Sequence, residues 1–129
     1  MSFLQRIDVK SNDQIALMRK AGAVVGQTLE ILREAAQPGV SLAELNALAE
    51  ESIRTRGAIP SFLGYGFPPF PAVICTSVND VVVHGFPNKT PLKEGDIVFS
   101  RVGSIDRCTY VSKREQGWLF SGRCIRVRI

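Results

Sequence analysis

The chain holds a single histidine, His84, at the end of the run Val81-Val82-Val83-His84, with Gly85 after it. An imidazole titrates near neutral pH and can donate a hydrogen bond while uncharged, which suits His84 to holding a polar group of a substrate. Taken alone it reads more readily as a strand-end histidine with a structural hydrogen bond. The three cysteines, Cys75, Cys108 and Cys124, have no CxxC spacing and leave one unpaired in any disulfide scheme. They make neither a disulfide framework nor a zinc motif, and one histidine disfavours a mixed Cys/His metal cluster. Carboxylates are scarce late in the chain, where only Asp106 and Glu115 follow Asp96. A site for two divalent ions needs several anionic oxygen ligands.

The elements that would position these groups are legible over the first hundred residues. Ser11-Asn12-Asp13-Gln14 is a capping box, in which the hydroxyl accepts from an early backbone N–H and Gln14 reaches back to the cap. Ile15, Met18, Gly22, Val25, Leu29 and Leu32 follow at alternating spacings of three and four, one face of a helix. Pro38-Gly39 ends that segment. Ser41 and Glu44 form a second capping box, and Leu42, Leu45, Leu48, Ala49 and Ile53 outline a shorter helix with Gly57 as its C-terminal cap. These residues predict a helical hairpin with one packed seam.

Ala72 to Ser77 and Val81 to His84 are β-branched and apolar, as strands are, with a turn at Asn79-Asp80. Four prolines keep the Pro60 to Pro71 stretch out of regular ladders and leave a loop carrying Phe62, Tyr65, Phe67 and Phe70. A third strand is expected to open at Asp96-Ile97-Val98-Phe99. Beyond Phe99 only a short apolar patch, Trp118 to Phe120, and a weak alternation over Cys124 to Ile129 stand out.

With 129 residues, 45% of them hydrophobic and 22% charged, the chain suits one small globular domain. No apolar run approaches the roughly 20 residues of a membrane-spanning helix, and the N-terminus lacks the apolar core of a secretory signal. A cytoplasmic protein is the expectation. The net charge of +4 is unevenly divided. Residues 1–98 carry 9 Lys/Arg and 10 Asp/Glu, a net of −1, whereas residues 99–129 carry 7 and 2, a net of +5. The basic excess lies wholly in the tail.

Several separated motifs carry a family resemblance in order. They are Met18-Arg19 with Gly22, Pro38-Gly39-Val40-Ser41, Leu63-Gly64-Tyr65, Ile74 to Asp80, Val82-Val83-His84-Gly85 and Gly95-Asp96-Ile97-Val98. Over roughly Ile7 to Val98 the chain resembles the N-terminal half of type I methionine aminopeptidases of the M24 pita-bread metallopeptidase family. The resemblance implies an α/β (α+β) fold, here an incomplete pita-bread: a helical hairpin packed on an antiparallel β-hairpin or sheet. Residues 1–98 would be the family portion and residues 99–129 a divergent basic tail, poorly structured.

The resemblance also implies chemistry. The family removes the N-terminal methionine of nascent polypeptides with two divalent metal ions (cobalt, manganese, iron or zinc) acting as Lewis acids. The residue matching His84 is catalytic, hydrogen-bonded beside the scissile peptide. Phe62, Tyr65, Phe70 and Cys75 match the methionine pocket, although Phe62 and Phe70 read equally as plain packing residues. Asn79 matches a position that binds a monovalent cation in relatives, and reads more simply as a turn residue. The ligand set is not carried over. The first family aspartate falls at Arg101 and the second at Ser112, and no histidine follows His84. Ser104-Ile105-Asp106 echoes a family motif out of register, and Asp106 is not assigned as a ligand.

The expectation is therefore a methionine aminopeptidase homologue that binds no metal and is inactive as it stands. A tail rich in Arg, Ser and Cys that is poorly periodic is what a frameshift or splice change after Val98 would leave. A binding module is the alternative, with the basic tail meeting an anionic surface by counterion release, though no specific nucleic-acid motif is present. Self-association is a third, since half of a pseudo-symmetric fold exposes apolar surface and open strand edges.

Overall fold

A computed structural model describes residues 9–106 and 120–129. Helix α1 spans Asn12–Ala35 and helix α2 spans Leu42–Thr55, each starting at its expected capping box. The Ser11 hydroxyl accepts from the Gln14 N–H at 3.2 Å while the Gln14 side chain accepts from the Ser11 N–H at 2.8 Å. Ser41 and Glu44 repeat the pattern at the same two distances. Gly57, with φ of 77°, turns the chain beyond α2 into a conformation that other residues resist.

Four antiparallel strands form one sheet: β1 (Ala58–Pro60), β2 (Ile74–Val78), β3 (Ile97–Asp106) and β4 (Phe120–Arg128). Strand β3 is central. Its Ile97–Ile105 stretch pairs with β4, and its other edge is shared by β2 at Val98–Val102 and β1 at Ser104–Asp106. Side chains alternate between the two faces of a sheet. Ile74, Val98 and Val102 therefore point with Ser104 to the helices, where they meet Val25, Leu29, Leu45 and Ile53 in one core. Cys75, Ser77, Phe99 and Arg101 point to the opposite face, which no helix among the described residues covers.

Four expectations change. The α1 seam keeps Val25, Leu29 and Leu32, but Ile15 is 42% exposed, and Ala21 and Thr28 are buried instead. The cause is that α1 packs on the sheet as well as on α2. The Ser104 hydroxyl donates to the Ala21 carbonyl at 3.0 Å, and the Thr28 and Ser52 hydroxyls share a bond of 2.8 Å between the helices. Val81 to His84 is not a strand. Asn79 and His84 both have positive φ, 54° and 55°, which bends this segment out of any ladder and leaves residues 81–84 exposed. The third strand opens at Ile97 rather than Asp96 and continues to Asp106, so the expected division at 98/99 falls inside it. Finally, residues 99–106 and 120–128, expected to be poorly structured, lie in paired strands. Small or apolar side chains at Ser100, Val102, Ile125 and Val127 recur every second residue against the helices, while Arg126 and Arg128 stay exposed. Trp118 and Leu119 lie outside the described residues. No helix among the described residues is long and apolar enough to cross a membrane.

Candidate functional site

The sheet face opposite the helices and two loops beside it hold most of the residues singled out above. In the β2–β3 register Cys75 stands opposite Arg101. The Arg101 guanidinium lies 5.8 Å from the centre of the Phe62 ring, within cation–π range. Phe62 meets Phe70 edge-on at 6.5 Å, and Phe70 meets Phe86 at 5.3 Å with the rings tilted by 56°. Such offsets suit the ring quadrupoles better than face-to-face stacking.

Backbone bonds hold the first loop. The Phe70 N–H donates to the Tyr65 carbonyl at 2.8 Å, Gly64 N–H to Phe70 at 2.9 Å, and Tyr65 N–H to Phe62 at 3.0 Å. The result directs Phe62 and Phe70 inward, while Tyr65 stays 77% exposed and takes no part in the ring cluster. Phe86, 60% exposed, completes the cluster and was not anticipated. Its contact with Phe70 joins loops distant in sequence, and nothing local announces it.

His84 sits on the second loop, exposed, just before the point where that loop docks on β2. The Thr76 N–H donates to the Gly85 carbonyl at 2.9 Å, and the Gly85 N–H donates to the Ser77 hydroxyl at 3.2 Å. A Cβ at position 85 would lie 2.0 Å from the Thr76 carbonyl oxygen, so only glycine fits this approach. The histidine is thus presented by a backbone clamp, next to the ring cluster through Phe86.

Cys75 is only 7% exposed. Burial pushes its thiol up, and the Arg101 charge partly offsets this. A thiol held protonated is a poor nucleophile and serves as apolar lining.

Asn79 acts as a turn residue. Its N–H donates to the Ile97 carbonyl at 2.9 Å, its side-chain oxygen accepts from the Ile97 N–H at 3.0 Å, and its amide donates to Asp96 at 2.9 Å. The Asp96 carboxyl is held below its ordinary value by Asn79 first and by the Lys93 N–H second.

The donors among the described residues do not fit a pair of divalent metal ions. Among the described residues no three His, Cys, Asp or Glu side chains gather where they could hold one ion. Asp96, five residues before Arg101, is committed to the Asn79 turn. Arg101 brings a permanent cation to the position of the first expected ligand.

Residues 16–114 match metallopeptidase family M24, a match that runs past Val98 into the tail. The methionine aminopeptidase of Clostridium acetobutylicum is 51% identical over 100 residues, covering 77% of this chain and 39% of that protein. That of Clostridium perfringens is 52% identical over 93 residues, covering 71% and 36%. Among solved structures, the methionine aminopeptidase of Rickettsia prowazekii superposes with a TM-score of 0.72 at 40% identity, covering 76% of this chain and 39% of that one. The Thermotoga maritima enzyme gives 0.78 at 31%, covering 95% and 45%. The chain spans less than two fifths of the length of these two curated relatives, 39% and 36%.

Proposed function

The chain belongs to the M24 metallopeptidase family, and from that premise we propose that it corresponds to the N-terminal half of a methionine aminopeptidase domain. In this reading it supplies the substrate-side wall of a site that removes the N-terminal methionine of nascent polypeptides in the cytoplasm. His84 hydrogen-bonds the scissile peptide. Phe62 and Phe70, backed by the protonated thiol of Cys75, receive the methionine side chain, whose polarisable thioether packs well on aromatic rings. Tyr65 closes over the rim only if its loop moves inward.

With no cluster of donors for the two ions among the described residues, hydrolysis is not expected on this chain alone. The observation that carries the proposal is the cluster itself. Loops 61–70 and 79–86 are tied together by Phe70 and Phe86, beside an Arg101 that stands where a ligand carboxylate is expected.

Two experiments test it. The purified 129-residue chain, supplied with cobalt or manganese and a Met-Ala-Ser peptide, is expected to release no methionine. Release would sink the inactive reading. Residues 16–98 exchanged for the matching segment of the Clostridium acetobutylicum enzyme should give an active chimera, and His84→Ala should cut its kcat/KM by at least tenfold. A folded, metal-loaded chimera without activity would show that this wall does not serve methionine removal.

A further inference from the structure

The sheet face opposite the helices carries three arginines from two strands. Arg101 projects from the central strand, and Arg126 and Arg128 from β4, where they pair with Phe99 and Ile97. All three are exposed. Among the described strand residues, no position that the register places on this face is acidic. No carboxylate pairs with the three guanidinium groups among the described residues. Aromatic rings alternate with these charges. Phe99 is half-buried beside Arg126, Phe62 lies under Arg101, and Phe86 forms the exposed end of the ring cluster.

We propose that this face binds single-stranded nucleic acid without sequence preference, by a row of guanidinium groups that follows the phosphates and rings on which bases stack. Arginines spaced two residues apart on a strand stand about 7 Å from each other on one face, so adjacent cations can serve successive phosphates. Aromatic and guanidinium planes accept any base, which gives affinity without readout. An acidic peptide would satisfy the charges but leave the rings uncovered, so the combination favours a polynucleotide. A duplex hides its base faces in the stack and could use the charges alone. This inference shares Arg101, Phe62 and Phe86 with the cluster behind the aminopeptidase reading but does not rest on that reading, since Phe99, Arg126 and Arg128 lie outside the cluster.

Fluorescence anisotropy of the full chain with labelled U20 tests the proposal. Binding is expected at low salt, with log K falling against log salt at a slope of about −2, the release expected for three neutralised phosphates on a single strand. Labelled dT20 should bind within about threefold of U20, because neither charge nor stacking reads the 2′-hydroxyl. Arg126→Glu with Arg128→Glu should weaken binding at least tenfold, whereas the paired Lys substitutions should retain it. Phe99→Leu should weaken it about fivefold with the salt slope unchanged. Lys20→Glu with Arg33→Glu, on the helix side, should leave it intact, and far-UV circular dichroism checks that each variant folds. Absence of binding at low salt would overturn the proposal. So would equal affinity for a duplex, competition by polyglutamate as strong as by unlabelled U20, or indifference to the paired Glu substitutions in a folded variant.

Discussion

Cys75 and Arg101 stand opposite one another on the sheet face away from the helices, a buried thiol beside an exposed guanidinium. The pairing ties a position expected in the methionine pocket to one expected to hold metal. It also sets the thiol in the field of a cation. Burial raises the Cys75 thiol and Arg101 lowers it. Arg101→Gln should therefore move the midpoint of Cys75 alkylation to higher pH, while Arg101→Lys should leave it near its starting place. The midpoint, followed by mass spectrometry of the Cys75 peptide against pH, separates charge from access, which changes only the plateau rate. A midpoint that stays or falls in Arg101→Gln would show that the thiol does not feel this charge.

Gly85 and Gly26 should respond oppositely to the same substitution. A Cβ at Gly85 would lie 2.0 Å from the Thr76 carbonyl oxygen and 2.8 Å from its carbon, both backbone atoms of β2 that cannot yield cheaply. Gly85→Ala should cost about 2 kcal/mol and release the Thr76 amide to exchange, since that amide donates to Gly85. At Gly26, inside α1, a Cβ meets nothing within 4 Å, and alanine should stabilise by about 0.5–1 kcal/mol. Urea unfolding with hydrogen exchange at Thr76 reads both. A neutral Gly85→Ala would mean the loop carrying His84 is not clamped to β2.

Features set by neighbours in sequence were legible, and features set by distant partners were not. The Ser11 and Ser41 capping boxes close within three residues, so their residue types suffice. Strand β3 beyond Phe99 was obscured because its inward positions include Ser100 and Ser104, polar side chains that break an apolar alternation. Ser104 is tolerated in the core because it donates to the Ala21 carbonyl, 83 residues away. Val82 and Val83 misled in the opposite sense: β-branched residues suggest a strand, yet the positive φ at Asn79 and His84 lifts them into solvent. In the candidate site, the family resemblance nominates His84, Phe62, Phe70 and Cys75, whereas the place of Phe86 follows from a contact between two loops.

The Asn79–Asp96 turn should show in the acid limb of stability. The Asp96 carboxyl is held below its ordinary value, so folding favours its charged form. That contribution is present above the ordinary carboxylate range, near pH 4, and is lost as pH falls through the lower folded value. Glu44 contributes with the same sign through its bonds to Ser41. Asn79→Gly keeps a residue at ease with φ of 54° but removes both side-chain bonds. Its urea midpoint should fall at pH 7 and depend less on pH below 4, with the Glu44 share of the slope remaining. An acid limb as steep as in the parent chain would assign the dependence elsewhere.

Arg101→Asp asks whether one residue separates this chain from a metal centre. The substitution removes the cation above Phe62 and places a carboxylate opposite Cys75. Among the described residues that gives one carboxylate and one thiol, too few donors and too little negative charge for two dications. The raised thiol would resist deprotonation further beside a new anion. Calorimetric titration with manganese or cobalt should show no saturable uptake below about 1 mM, the weak end of protein cation sites, and methionine release should stay absent. Tight uptake by Arg101→Asp but not by the parent would require additional ligands, for which Asp106 and Glu115 are the acids available after Asp96. Substituting those two in the Arg101→Asp background would then identify which one completes the site.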